Sequence, residues 1–191
     1  MTQEEVKDIF RRTGAMLEGH FLLTSGRHSE YYIEKFNVLQ HPQETQKLCE
    51  AMAEKYKDAQ IETVVGPVTG GILLAHETGK ALGTRAIFTE RENGLMTFRR
   101  GFKLKPGEKV LIVEDVVTTG GSIKEVIAAV HDAGGDVAGV SMLVDRSGGN
   151  LDFGGIPYSA LLTLSVASFS PKDCPLCQKG IPLTKRGRTG K

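Results

Sequence analysis

Glu114 and Asp115 stand side by side at the end of the apolar run Val110-Leu111-Ile112-Val113, and after Val116 and Val117 comes Thr118-Thr119-Gly120-Gly121-Ser122. Two carboxylates closing such a run cost desolvation energy unless something uses them. Side chains alternate along a strand, so the acids project to different sides of its end. The small residues behind them lead straight into a helix, and their backbone N–H groups, hydroxyls and helix N-terminus converge on one anion. Carboxylates do not favour phosphate, but they accept hydrogen bonds from vicinal sugar hydroxyls or share a divalent cation. A ligand with both phosphate and hydroxyl groups, such as a ribose phosphate, fits both halves. The loop has neither the Gly-Lys-Ser/Thr of a nucleoside-triphosphate P-loop nor a GxGxxG.

A second junction has the same form. In TVVGPVTGGILLAHETGKALG, Thr63 to Gly83, the residues Gly66, Pro67, Thr69, Gly70 and Gly71 sit between a strand and a helix. Alone, they would mark any tight strand-to-helix turn. The elements that must position both loops follow from periodicity. Ile61 to Val65, Arg85 to Phe88, Val110 to Val113, Val137 to Val144 and Tyr158 to Thr163 read as strands, and Gly70 to Leu82 and Ser122 to Ala133 as helices. This alternation predicts an α/β fold, a parallel sheet covered on both faces, with binding loops beyond the carboxyl ends of its strands. Ahead of it, Val6, Ile9 and Phe10 predict a helix over Gln3 to Arg12 that continues loosely to Met16 and Leu17. Phe21 to Leu39 reads as an extended hairpin around Ser25-Gly26 rather than a helix, and Pro42 opens a helix that runs to about Tyr56.

With 191 residues, 40% of them hydrophobic and 25% charged, the chain can bury a sizeable core as one domain without disulfides or a structural metal. Lys plus Arg number 24 against 23 Asp plus Glu, so bulk charge argues for neither a nucleic-acid nor a membrane partner. No apolar run reaches the roughly 18 residues of a membrane helix, and MTQEEVKDIF is too polar for a secretory signal, so a cytoplasmic location is expected. Cys49, Cys174 and Cys177 are too few for a secreted disulfide framework.

The apolar strand, acid pair and Thr-Thr-Gly-Gly-Ser closely resemble the phosphoribosyl-diphosphate signature of the type I phosphoribosyltransferases. That resemblance implies a Rossmann-like parallel sheet flanked by helices, with a small hood built from the N-terminal segment and the C-terminal tail. The chain then divides into a helix and hood over 1–60, an α/β core over 61–166 and a tail over 167–191. Glu114 to Ser122 (Glu114, Asp115, Val116, Val117, Thr118, Thr119, Gly120, Gly121 and Ser122) would hold the ribose 5-phosphate, and Thr69 and Gly70 the diphosphate. FLLTSGRHSEYY, and Val144-Asp145-Arg146 at a strand end, resemble the orotate-specific members. An arginine fork suits a planar acceptor bearing a carboxylate and carbonyl oxygens. Thr118 and Arg146 are thereby expected to contact orotate, with Tyr32 and Ile33 flanking the base.

Two departures stand out: Thr69-Gly70-Gly71 and Thr24 occupy places where many orotate enzymes carry lysines. The compensating cations are expected in Phe88 to Leu104, where Arg91, Arg99, Arg100 and Lys103 lie between possible hinges at Gly94 and Gly101. In the family, a mobile loop here closes over the active site, often that of a neighbouring subunit, so a homodimer is implied. Mg2+ is the implied cofactor, held mainly through substrate oxygens. The implied reaction joins orotate to the ribose 5-phosphate of phosphoribosyl diphosphate, with Glu114, Asp115, Arg91, Arg99 and Arg100 stabilising charge. Two other readings stay open: a sister enzyme acting on a purine or uracil, and a phosphoribosyl-diphosphate sensor that binds nucleic acid. The Cys174-Pro175-Leu176-Cys177 spacing is half of a zinc ribbon whose other half would have to come from elsewhere, so the cysteines read first as an exposed thiol pair. His20, His28, His41, His76 and His131 show no ligand spacing and read as surface or packing residues. Lys185 to Lys191 is expected to be a mobile tail.

Overall fold

A computed structural model describes residues 1–23, 25–164 and 168–185. Thr24, the core boundary at Val166 and all of the expected tail beyond Lys185 lie outside the described residues.

The fold is organised by β6 (Lys109–Val117), whose apolar run serves two cores at once. Val110 and Ile112 pack with Ile123, Val126 and Val130 on one face, while Leu111 and Val113 pack with Leu48, Met52 and Leu74 on the other. All four strand residues are fully buried, which is why this strand reads as continuous rather than alternating apolar sequence. The first set belongs to α5 (Gly121–Asp132) and the second to α3 (Pro42–Glu54) and α4 (Gly70–Leu82). Around β6 the sheet order is β5-β4-β3-β6-β7-β8, with β3 (Thr63–Pro67), β4 (Arg85–Glu92), β7 (Asp136–Asp145) and β8 (Tyr158–Thr163) parallel to it. The expected α/β sheet is therefore present, and every predicted core strand and helix is found within a few residues of its expected bounds.

Three local expectations are corrected. The polar stretch after Phe88 is a hairpin, because β5 (Leu95–Phe98) pairs antiparallel with the end of β4. Its turn is Asn93-Gly94, both left-handed at φ 52° and 86°, as a two-residue hairpin turn requires. Met16 and Leu17 leave the first helix, α1 (Gln3–Arg12), for β1 (Met16–Leu22). Thr13 donates its hydroxyl to the Ile9 carbonyl at 2.7 Å, and Gly14 turns left-handed at φ 69°, so the helix stops there. Lys35–Leu39 is a short helix, α2, and not part of the hairpin: Val38 and Leu39 are buried under it, and Asn37 Nδ2 donates to the Gly14 carbonyl at 2.8 Å.

The remaining strands form a second sheet in the order β10-β1-β2-β9. β2 (His28–Ile33) pairs with β1, and the C-terminal segment covers both edges of this hairpin through β9 (Ser168–Phe169) and β10 (Thr184–Lys185). This is the hood expected from the two ends of the chain.

Candidate active site

The anion cradle is built where β6 hands over to α5. Gly120 is the N-cap in the left-handed region at φ 78°, and a Cβ there would sit 2.9 Å from the Phe153 ring, so only glycine makes this turn. The helical ladder resumes with Lys124 N–H donating to the Gly120 carbonyl, which leaves the amides of Gly121, Ser122 and Ile123 without intrahelical acceptors. They face an open cleft of about 290 Å³ lined by Glu114 and by Val116 through Ile123. Thr118, Thr119, Gly121 and Ser122 are exposed in it.

The two acids differ in surroundings. Asp115 is 2% exposed on the α4 side of the sheet, where its Oδ1 accepts from Val116 N–H at 2.6 Å and its Oδ2 lies 2.7 Å from Lys35 Nζ. Glu114 is half-buried and takes the Asp115 N–H at 3.0 Å on Oε1. Burial first, and the neighbouring Asp115 second, push the Glu114 carboxyl up to about 8, against partial opposition from that N–H and from Lys35.

Lys35 is absent from the site residues that the sequence suggests. Its only signal there is the missing family lysines, which ask for a cation without locating it. α2 supplies one, because the first residue of that short helix points at the end of β6.

The second loop meets the first through glycine. A Cβ on Gly70 would fall 2.0 Å from Asp115 Oδ2, and one on Gly66 2.0 Å from the Gly71 carbonyl oxygen. Side chains at these positions would force α4 off the sheet. Thr69 is the N-cap of α4 and is exposed, so Thr69 and Gly70 open a second helix N-terminus beside the acid pair.

Arg146 follows β7, whose last residue Asp145 pairs in register with Val117. Its N–H donates to the Val117 carbonyl at 2.8 Å, which ties it to the cradle strand. Asp145, 1% exposed, accepts from Ser147 N–H and Gly149 N–H and fixes the loop after it. Among the described residues Arg146 has no salt-bridge partner; burial holds its guanidinium below its ordinary value, partly opposed by nearby Tyr32. Tyr32 packs against Phe21 with ring centroids 5.6 Å apart. Ile33 points the other way into the core with Val38 and Leu39, so of the expected base-flanking pair only Tyr32 offers its side chain on the Arg146 side.

Three of the loop cations are already ion-paired. Arg91 lies 2.6 Å from Glu125 on α5, one turn past the cradle, while Arg99 and Arg100 reach Glu90 and Glu92 beyond it. Arg91 is thus brought near the cradle, and Arg99 and Arg100 are not. Cys49 is buried, with its thiol pushed up to about 12 by desolvation, which suits packing and not nucleophilic chemistry.

One expectation fails away from this cleft. His41, His76 and His131 are exposed, but His20 and His28 are buried, and they meet Cys174 and Cys177; Cys174 is itself fully buried, so the cysteines are not an exposed pair. Nothing in the sequence signals this meeting, because the histidines lie about 150 positions before the cysteines.

Comparison with known proteins agrees with this geometry. Residues 36–159 match the family model described as phosphoribosyl transferase domain. An orotate phosphoribosyltransferase of Desulforamulus reducens is 55% identical over 98% of this chain and 97% of its own. One of Pelotomaculum thermopropionicum is 54% identical over 98% of each. Among solved structures, the Mycobacterium tuberculosis orotate phosphoribosyltransferase in complex with inorganic phosphate superposes with a TM-score of 0.70 at 28% identity, covering 85% of this chain and 96% of that one.

Proposed function

This chain belongs to the phosphoribosyl transferase family, alongside its orotate phosphoribosyltransferases, and from that we propose how its own residues carry the reaction. The chain transfers ribose 5-phosphate from 5-phosphoribosyl 1-diphosphate to N1 of orotate, giving orotidine 5′-monophosphate and diphosphate. The observation that carries the assignment of roles is the acid pair Glu114-Asp115 set against a helix N-terminal cradle at one sheet edge. At the next strand end stands Arg146, which has no salt-bridge partner among the described residues.

The 5-phosphate sits on the amides and hydroxyls of Thr118 to Ser122, where the helix N-terminus favours negative charge. Glu114 and Asp115 accept from the ribose diol. The anomeric C–O bond lengthens before the C–N bond is well formed, so positive character develops on the sugar and negative charge on diphosphate. The field of Asp115 favours the first, while Glu114, raised to about 8 in the ligand-free fold, contributes hydrogen bonds rather than charge near neutral pH. The N-terminus of α4, with Thr69 and Gly70, and Arg91 beside α5 favour the second. Arg146 donates to the orotate carboxylate and an adjacent carbonyl oxygen, Thr118 adds a contact, and Tyr32 lies along the base. Orotate gives up its N1 proton as the C–N bond forms.

Asp115 Oδ2 is taken by Lys35 at 2.7 Å, so a divalent cation such as Mg2+ would be held mainly through substrate oxygens, with Glu114 the acid that lines the cleft. Bound there, the cation would supply positive charge to the leaving diphosphate. Arg99 and Arg100 join the site by closure of the β4–β5 hairpin, in a homodimer whose partner hairpin covers the cleft. Closure excludes water that would hydrolyse the donor.

The test is orotate depletion by purified protein with Mg2+ and phosphoribosyl diphosphate, with Asp115→Asn as the control. Consumption of orotate that is lost in the variant supports the assignment. Undiminished turnover in the variant removes the ribose role of Asp115, and turnover of adenine in place of orotate removes the acceptor.

A further inference from the structure

His20, His28, Cys174 and Cys177 bring four potential ligand atoms within 4.8 Å of one another, and none of the four lines the cleft at Glu114 to Ile123. His20 is 2% and His28 5% exposed, and Cys174 is fully buried. We propose that these four residues bind one zinc ion, and that the metal clips the C-terminal segment onto the hood.

The donor set is the first argument. Two imidazoles and two thiols are the Cys2His2 complement of closed, tetrahedral structural zinc sites. Around such an ion, with bonds of about 2.0–2.3 Å, ligand atoms lie roughly 3.3–3.8 Å apart. Here Cys177 Sγ is 3.3 Å from His28 Nδ1, Cys174 Sγ 3.6 Å from His20 Nε2, Cys177 Sγ 3.7 Å from His20 Nε2, and the two imidazole nitrogens are 2.9 Å apart. The three sulfur–nitrogen separations are those of a coordination shell, the two imidazoles need move apart by only about 0.4 Å to join it, and both thiols are free.

The second argument is orientation. His20 Nδ1 lies 2.7 Å from the Ile181 carbonyl, so it is the protonated nitrogen and Nε2 presents its lone pair to the cluster. Without a metal, one hydrogen bond between the imidazoles and weak S–H donors hold the four groups together. With a metal, every lone pair has a partner.

Local structure explains how the residues meet. His20 and His28 lie on neighbouring strands near the Leu22–His28 register pair, and so are diagonal neighbours on one face. Cys174 is the N-cap of a short helix, α6 (Pro175–Gln178), and a helical turn brings Cys177 to the same side. Beyond this cluster the segment is held by buried Leu176, by Arg27 donating to Ser168 and by β9 and β10, which are only two residues each. A metal at this point fixes the same hairpin that carries Tyr32.

The experiment takes the full chain as purified under reducing conditions and measures metal content, then titrates the metal-stripped protein with Zn2+ and with Co2+. About one zinc per chain, and a Co2+ spectrum with thiolate charge-transfer bands and tetrahedral d–d intensity that is lost in Cys177→Ser, support the site. Cys177 is exposed, so that variant should fold; His20→Ala tests the buried side, and circular dichroism checks both. A protein that takes up no Zn2+ at micromolar concentration overturns the proposal. So does a Co2+ spectrum unaltered in Cys177→Ser, or, in a parallel preparation without reductant, a native Cys174–Cys177 disulfide found about two mass units below the thiol form. None of these readouts depends on turnover.

Discussion

Lys35 Nζ lies 2.7 Å from Asp115 Oδ2, and this pair joins the first residue of α2 to the buried end of β6. Asp115 is 2% exposed, so solvent screens this pair less than it would a pair at the surface. Replacing Lys35 by Met is expected to cost about 1–2 kcal/mol, because the lysine keeps some contact with solvent while the acid does not. Urea unfolding of Lys35→Met, Asp115→Asn and the double variant measures it: the double should cost less than the sum of the singles, and additivity would mean that the pair is not coupled.

Glu114 gives a pH dependence whose sign is determined. Its carboxyl titrates near 4.5 when free and at about 8 in the fold, raised by burial and by Asp115. Between those values the native state holds a proton that the unfolded state has lost, so stability falls as pH rises through this window. Thermal unfolding of the ligand-free protein should therefore give a higher Tm at about pH 5.5 than at about pH 8.5, and Glu114→Gln should flatten that slope. A steeper slope in the variant would contradict the assignment.

The β3–α4 junction predicts a contrast between two glycines. A Cβ on Gly66 would meet the Gly71 carbonyl oxygen at 2.0 Å, whereas one on Gly94 would meet nothing within 4 Å. Gly66→Ala should cost at least the roughly 1–3 kcal/mol typical of overpacking. Gly94→Ala should cost only about 1 kcal/mol, from its left-handed backbone. Chemical denaturation ranks the two, and equal costs would show that α4 can shift without strain.

Arg146 should divide the two substrates. Its guanidinium is available for a fork of hydrogen bonds to the acceptor, while the cradle that holds the donor lies one strand away. Arg146→Ala is expected to lower kcat/KM for orotate by about 100-fold and leave KM for phosphoribosyl diphosphate within about twofold. Arg146→Lys should not restore it, since a point charge cannot reproduce a planar fork. Steady-state kinetics with each substrate varied decides this, and an equal loss for both would move Arg146 out of the base site.

Much of this architecture is written in local sequence. Strand β6 is recognisable because both its faces are buried, and the turn into α5 because Gly120 has no substitute. The Asn93-Gly94 turn is equally legible, but the charges around it disguise the hairpin as a loop. Helical periodicity cannot be detected in five residues, so α2, which begins at Lys35, is revealed only by the packing of Val38 and Leu39.

What the amino-acid order determined alone is everything that depends on neighbours in the chain: the buried strands, the two glycine turns, and the adjacency of Glu114 and Asp115 to an anion cradle. Tertiary structure decided which distant groups meet. It set Lys35 against Asp115, turned Arg99 and Arg100 toward Glu90, and closed His20 and His28 upon Cys174 and Cys177. Periodicity and turn chemistry are properties of a few consecutive residues, whereas a charge partner or a ligand shell is selected by the packing of a whole sheet.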